Sequence, residues 1–194
     1  MIDNYAKLAE IKQSLTPLAG DAFCLRLLCA EDLPMTLAWR NREDIRVQFI
    51  HSDIITWEQH LAWWQQYQAK NNDFVFIIEE TQQLHRPVGQ VSLYNIDLEK
   101  REAEYGRLMI GDNEARGKGL ARRATELLIA WAFDTLKLKR IHLEVFKNNT
   151  TAVNLYRQCG FVPYGKREDL YLMSISKKSV STALARVKAR DNSA

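Results

Sequence analysis

The sequence predicts a single mixed α/β (α+β) domain. Three features predict it: three β-rich runs separated by short polar turns in the middle of the chain, a helix–strand–helix order after them, and 194 residues without a linker, an internal repeat or a low-complexity block. At 46% hydrophobic and 26% charged residues the composition is that of a globular protein, which excludes a disordered or fibrous chain.

Each element has a local reason. Leu8, Ile11 and Leu15 recur at helical spacing before Thr16, Pro17 and Gly20, so residues 1–20 read as a short helical arm ahead of a domain at 21–178. Residues 23–28 alternate Phe23, Leu25 and Leu27 against Cys24, Arg26 and Leu28, as a first strand does, and Glu31-Asp32 with Pro34 opens a helix. Thr56-Trp57-Glu58-Gln59 has the form of a capping box, which starts a helix running towards Lys70 with a heavy aromatic load. Residues 74–79, 87–96 and 102–110 form an antiparallel meander. Leu120, Ala124, Leu127, Leu128 and Trp131 then place a long amphipathic helix over 116–136.

Residues 141–146 return to alternation, with Ile141, Leu143 and Val145 on one face and His142, Glu144 and Phe146 on the other. A shorter helix over 150–159 is followed by Gly160 at a position suited to a left-handed C-terminal cap. A last strand falls at 171–175, and 179–194 is a polar tail expected to fray.

Several function classes fall away at once. A net charge of +3 is too small to imply a polyanion-binding surface, so no nucleic-acid partner is expected. Cys24, Cys29 and Cys159 are odd in number and lack a CxxC spacing, and the four histidines are scattered, so neither a disulfide framework nor a metal site is expected. The first twenty residues carry Asp3, Lys7, Glu10 and Lys12 among apolar positions, unlike a secretory leader. With no membrane-spanning run, a cytoplasmic protein is the expectation.

The most informative stretch is Arg116-Gly117-Lys118-Gly119-Leu120-Ala121, between a strand and the long helix. Glycines there allow a tight turn that aims several N–H groups at one point, and the helix N-terminus adds partial positive charge; together they make a phosphate cradle. It is not a Walker A loop, because Gly119 stands where a Ser or Thr would bind magnesium, and it lacks the third glycine of a dinucleotide fingerprint.

This segment resembles the (Gln/Arg)-x-x-Gly-x-(Gly/Ala) loop of the GNAT superfamily of N-acetyltransferases, with Arg116, Gly119 and Ala121 at its defining positions. Downstream, Asn149-x-x-Ala152-x-x-Leu155-Tyr156-x-x-x-Gly160-Phe161 is similar to the superfamily's second motif. The resemblance covers residues 21–176 and implies a GNAT-like acyl-CoA N-acyltransferase fold: a splayed mixed sheet of six or seven strands flanked by helices. It implies acetyl-CoA as donor, its pyrophosphate on the backbone of residues 116–121, its pantetheine arm along the strand ending at Met109-Ile110, and Asn149 beside it. The split in the sheet is expected between strands 102–110 and 141–146. An exposed strand edge suits the amide-bearing arm, as it suits a peptide in β-augmentation.

By the same resemblance Tyr156 is the proton donor to the departing thiolate, and the N–H of Met109 or Ile110 polarises the carbonyl. Glu144 is the first candidate for general base, being similar in place to a glutamate of ribosomal-protein N-terminal acetyltransferases. Glu104 competes with it, and a water could relay for either.

Trp39-Arg40-Asn41 is followed by Ile45-Arg46 and then by His51, Trp57 and Glu58-x-His60, and this Trp-Arg-Asn, Ile-Arg and Glu-x-His pattern looks like the branch that acetylates nucleotide-linked amino sugars. Aromatic walls stack sugars or bases, and Arg40 or Arg46 suits a diphosphate. Trp63 and Trp64 read as core residues, and His51 and His60 as surface or edge residues. The hairpin after Gly160-Phe161 must be short, since Leu170-Tyr171-Leu172-Met173 follows within ten residues. The expected partner is a small-molecule amine, the expected assembly a monomer or homodimer. The alternatives are a protein N-terminus, a polyamine held by carboxylates from the set Glu79, Glu80, Asp97, Glu99, Glu102 and Glu104, or a CoA-binding regulatory module without turnover.

Overall fold

A computed structural model of the chain describes residues 4–177; the expected polar tail at 179–194 lies outside them. Eight strands form one sheet: β1 (Leu18–Ala19), β2 (Phe23–Leu27), β3 (Phe74–Glu80), β4 (Arg86–Asp97), β5 (Glu102–Ile110), β6 (Arg140–Phe146), β7 (Val162–Arg167) and β8 (Leu170–Ser176). Their spatial order is β1-β2-β3-β4-β5-β6-β8-β7. Every neighbouring pair is antiparallel except β5 and β6, which are parallel. Among the described residues six α-helices flank it: α1 (Asn4–Ser14), α2 (Leu33–Asn41), α3 (Glu43–Arg46), α4 (Trp57–Ala69), α5 (Leu120–Asp134) and α6 (Thr150–Gln158).

The sheet thus has eight strands where six or seven were expected. The two additions are β1, two residues long, and β7, whose sequence Val-Pro-Tyr-Gly-Lys-Arg carries no apolar alternation and is exposed along most of its length. Pairing with β8, not burial of its own side chains, makes β7 a strand. The long helix begins at Leu120 rather than 116, because Gly117 and Gly119 both hold left-handed backbone (φ 74° and 73°) that a helix cannot include. Residues 4–20, expected as an arm, lie against the domain: Leu8 is buried in the main core and β1 pairs with β2.

The core has two layers. On one face α1, α5 and α6 pack Leu8, Ala124, Leu128 and Val153 against Phe23, Leu25, Phe74, Phe76 and Val91. On the other, α2 and α4 close over Val75 and Ile77 with Leu33 and Tyr67, and Trp63 and Trp64, half-buried, pack against them from the core-facing side of α4. The α4 capping box forms as read: Thr56 Oγ1 accepts from the Gln59 N–H at 3.3 Å and Gln59 Oε1 from the Thr56 N–H at 2.8 Å. That second face, between α2, α4 and the sheet, also carries a chamber.

Candidate active site

The cradle forms at the start of α5. Gly119 is the N-cap residue, without a side-chain capping bond. A side chain built on Gly117 or Gly119 would meet nothing within 4 Å, so the loop opens onto free space. Unsatisfied first-turn amides and the positive end of a 15-residue helix face that opening, which suits an anion. Leu120, 2% exposed, anchors the helix in the core, and Ala121 borders the cleft beside it. The Arg116 side chain points away: Nη1 lies 2.6 Å from Asp44 Oδ2 at α3, and Nε donates to the Ile110 carbonyl at 3.2 Å. Lys118 is exposed, its Nζ 3.5 Å from Gln83 Oε1.

The sheet splits where the resemblance places the split. β5 and β6 pair only at Glu102, Ala103 and Glu104 against Arg140, Ile141 and His142. Beyond that point Met109 and Ile110 are paired on the β4 side, with Gln90 and Gly89, leaving the opposite β5 edge open. One extra residue between Gly106 and Met109 bulges β5, with Arg107 at φ 53°. A non-glycine residue there costs of order 1–3 kcal/mol. The bulge is held by two bonds from the Arg107 guanidinium to Asp73, at 2.8 and 3.1 Å, and by its stacking 4.3 Å above the Tyr94 ring.

The parted strands enclose a cleft of about 550 Å³ bordered by Glu104, Met109, Ile110, Ala121, Asn149 and Tyr156, with Glu144 on its β6 side. Tyr156 is 8% exposed and set edge-on to Tyr105 and Phe161, each at 5.8 Å. Burial raises its pKa, and its hydroxyl has no hydrogen-bond partner among the described residues. Asn149 caps α6, accepting from the Ala152 N–H at 3.1 Å. Glu144 Oε2 pairs with Arg167 Nη2 of β7 at 2.6 Å, and Glu104 Oε1 accepts from Asn95 at 2.9 Å. Tyr94, not singled out from the sequence, stands opposite Glu104 in the ladder; burial first and then the Glu104 charge push its phenol up to about 12. The period-two alternation with Gln90 and Ser92 is the signal that could have found it.

A second chamber, of about 520 Å³, opens between α2, α4 and the β4–β5 bulge; it shares Arg40, Phe49, His51, Arg107 and Met109 with the cleft. Arg40 stands at the junction. Its guanidinium lies 4.2 Å above the Phe49 ring, Nη2 donates to the His51 carbonyl, and Nη1 is buried without a partner. Desolvation, then the nearby Arg46 charge, lowers its pKa, so the site favours an anion beside it. Arg46 itself donates to the Ser52 carbonyl at 3.0 Å, and Asn41 clasps Ile55 through both its amide atoms, at 2.8 and 2.9 Å; these bonds order the segment at 47–56.

Of the residues expected to meet the acceptor, Arg40 and His51 line both cavities; Arg46 and Trp57 border neither, and Trp57 is 41% exposed. His60 was expected at the surface or an edge, and that is corrected: it is buried, stacked on Trp63 at 5.3 Å, with Nε2 3.4 Å from Thr36 Oγ1, and burial lowers its pKa. The carboxylates that a polycation would need are dispersed. Glu79 pairs with Arg26, Glu80 caps the backbone at 82–85, Asp97 caps the β4–β5 turn, Glu99 is exposed in that turn, Glu102 faces His142, and Glu104 is the member of that set bordering the cleft. Among the described residues no group of His, Cys, Asp and Glu is arranged to hold a metal, and no helix is long and apolar enough to cross a membrane.

The chain resembles known acetyltransferases. A family model, the acetyltransferase (GNAT) domain, matches residues 23–162. The acetyltransferase PseH of Campylobacter jejuni is 27% identical over 150 residues, 77% of this chain and 89% of that protein. The spermidine N(1)-acetyltransferase of Vibrio cholerae is 34% identical over 90 residues, 46% of this chain and 50% of that one. A crystal structure of spermidine N-acetyltransferase from Vibrio cholerae with CoA and spermine superposes with a TM-score of 0.75 at 26% identity, covering 83% of this chain and 99% of that one.

Proposed function

The chain belongs to the GNAT acetyltransferase family, and from that premise we propose that it transfers the acetyl group of acetyl-CoA directly to the primary amine of a nucleotide-linked amino sugar. The observation that carries the acceptor is Arg40: a guanidinium with a buried, unpartnered nitrogen where the two cavities meet, which suits the diphosphate of such a sugar and repels a polycation.

The site fits the donor. The open glycine cradle at 117–121 offers its amides to the pyrophosphate, and the unpaired β5 edge at Met109 and Ile110 offers a ladder to the pantetheine arm. Bound there, acetyl-CoA supplies an acyl group already activated as a thioester. The chain's own groups do the rest. The N–H of Met109 or Ile110 stabilises the charge that develops on the carbonyl oxygen. Glu144, or Glu104 through a water, takes the proton that the amine must lose. Tyr156 delivers a proton to the sulfur as the carbon–sulfur bond breaks; the burial that raises its phenol also favours quenching a thiolate beside it.

A polyamine is the second reading, favoured by the likeness to the spermidine acetyltransferase structure. The engaged carboxylates described above weigh against it. Acetylation of a protein N-terminus is a further alternative, and a CoA-binding module without turnover is disfavoured by the convergence of Tyr156, Glu104 and Glu144 on one cleft. This reading keeps the enzyme in the cytoplasm, as a monomer or homodimer. Acetyl-CoA consumption measured against nucleotide-linked amino sugars, spermidine and N-terminal peptides tests it. Turnover with the sugars is expected; turnover with spermidine or peptides alone would overturn it.

A further inference from the structure

Gln90 is a largely buried residue whose side chain bonds nothing among the described residues. It lies on β4 directly opposite Met109, on the face that also carries Ser92 and Tyr94. It is 8% exposed, its side chain makes no hydrogen bond to any described residue, and it lines the chamber beneath Arg40. Its carboxamide faces the chamber without a protein partner and is free to bond a ligand there. The other polar residues lining the chamber are Thr36 and His60, paired with each other, Arg40, His51, Gln59, the Arg107 held by Asp73, and Asp53, exposed on the chamber's margin. Trp63, Ile55, Phe49 and Met109 complete apolar walls.

We propose that Gln90 is a specificity-determining residue: its carboxamide hydrogen-bonds a hydroxyl or acylamino group carried by the acceptor at the ring position beside the reacting amine. The inference rests on the acceptor reading above and narrows it to amino sugars with such a neighbouring group. Geometry sets the position. Facing residues of an antiparallel pair have Cα atoms about 4.5–5.5 Å apart. With the thioester carbonyl against the Met109 or Ile110 amide, Gln90, on the facing strand and in the chamber that Met109 also lines, is placed to meet the part of the acceptor next to the reacting amine. Chemistry sets the class, because a carboxamide offers donor and acceptor together and so matches a hydroxyl or an amide, whereas an ammonium group would find only half of it useful. A site built to bond such a group discriminates strongly against an analogue lacking it.

The test uses two nucleotide-linked amino sugars that differ only in that neighbouring substituent, present in one and replaced by hydrogen in the other, with wild type and Gln90→Met compared by kcat/KM. Wild type should prefer the substituted sugar about 10- to 100-fold. Gln90→Met should collapse that ratio towards one while leaving acetyl-CoA affinity unchanged, a pattern that a general loss of structure would not produce. Should the methionine variant not fold, Gln90→Ser carries the same comparison. A preference that survives substitution, or a wild type with no preference, overturns the inference and leaves the acceptor reading standing. Acetylation of spermidine with neither sugar turned over would remove the acceptor reading itself.

Discussion

Replacing Gly119 by alanine separates the cost of folding the cradle from the cost of filling it. Gly119 holds φ 73°, so an L-residue there is strained by about 1–2 kcal/mol. The added methyl meets nothing within 4 Å, so no packing term is added. In a domain of this size each kcal/mol lowers Tm by about 2–4 °C, which gives an expected fall of roughly 2–8 °C. The methyl would stand in the open space onto which the cradle opens. Displacing one charge-assisted hydrogen bond there is worth about 1.5–3 kcal/mol, and acetyl-CoA should bind about 10- to 100-fold more weakly. Gly111→Ala is the contrast, because its Cβ would lie 2.0 Å from Trp39 Cδ2: that overpacked site should lose stability more than donor affinity. Thermal unfolding and calorimetric titration with acetyl-CoA read the two quantities separately. A Gly119→Ala protein that melts early but binds acetyl-CoA as tightly as wild type would refute the cradle.

Three further outcomes are expected. Tyr156→Phe should lower kcat about 10²- to 10⁴-fold with little change in the KM for acetyl-CoA; because burial raises the phenol above its ordinary 10.0, wild type should show no alkaline limb from this group below that pH. For Glu144→Gln, the loss of rate should be largest at neutral pH and shrink as pH rises and the amine deprotonates unaided; if the Glu104→Gln protein alone behaves so, the base is Glu104. Lys12 is half-buried, with Nζ 2.9 Å from the Lys70 carbonyl and 3.9 Å above the Tyr67 ring, and burial lowers its pKa from 10.5 to about 8. Between those values the unfolded chain binds more protons than the native one, so native stability rises with pH. Tm measured from pH 8 to 10.5 should therefore rise for wild type relative to Lys12→Met, and parallel curves would show that Lys12 does not contribute.

What could be read in advance was what is written locally. The glycines at 117 and 119, the Thr56–Gln59 box and the alternation of β6 each follow from a few adjacent residues, and the structure places them accordingly. Features made by a segment's partners, near or far along the chain, were not legible. β7 owes its existence to β8, since Pro163 and Gly165 oppose strand propensity. His60 is buried because α2 brings Thr36 against it, a contact 24 residues away in sequence. Trp57, one helical turn earlier and equally aromatic, is left exposed at the first turn of α4. Arg46 and Arg116 have the residue type for anion binding but are engaged by Ser52 and Asp44. The β5 bulge and the chamber floored by Gln90 arise from register, which no local pattern specifies.

A crystal structure with bound CoA tests the central claim most directly. It should show the pyrophosphate on the amides of residues 117–121, the pantetheine arm paired with β5 at Met109 and Ile110, and the sulfur within reach of the Tyr156 hydroxyl. CoA seated elsewhere, or a β5 edge left bare with the nucleotide bound, would contradict it.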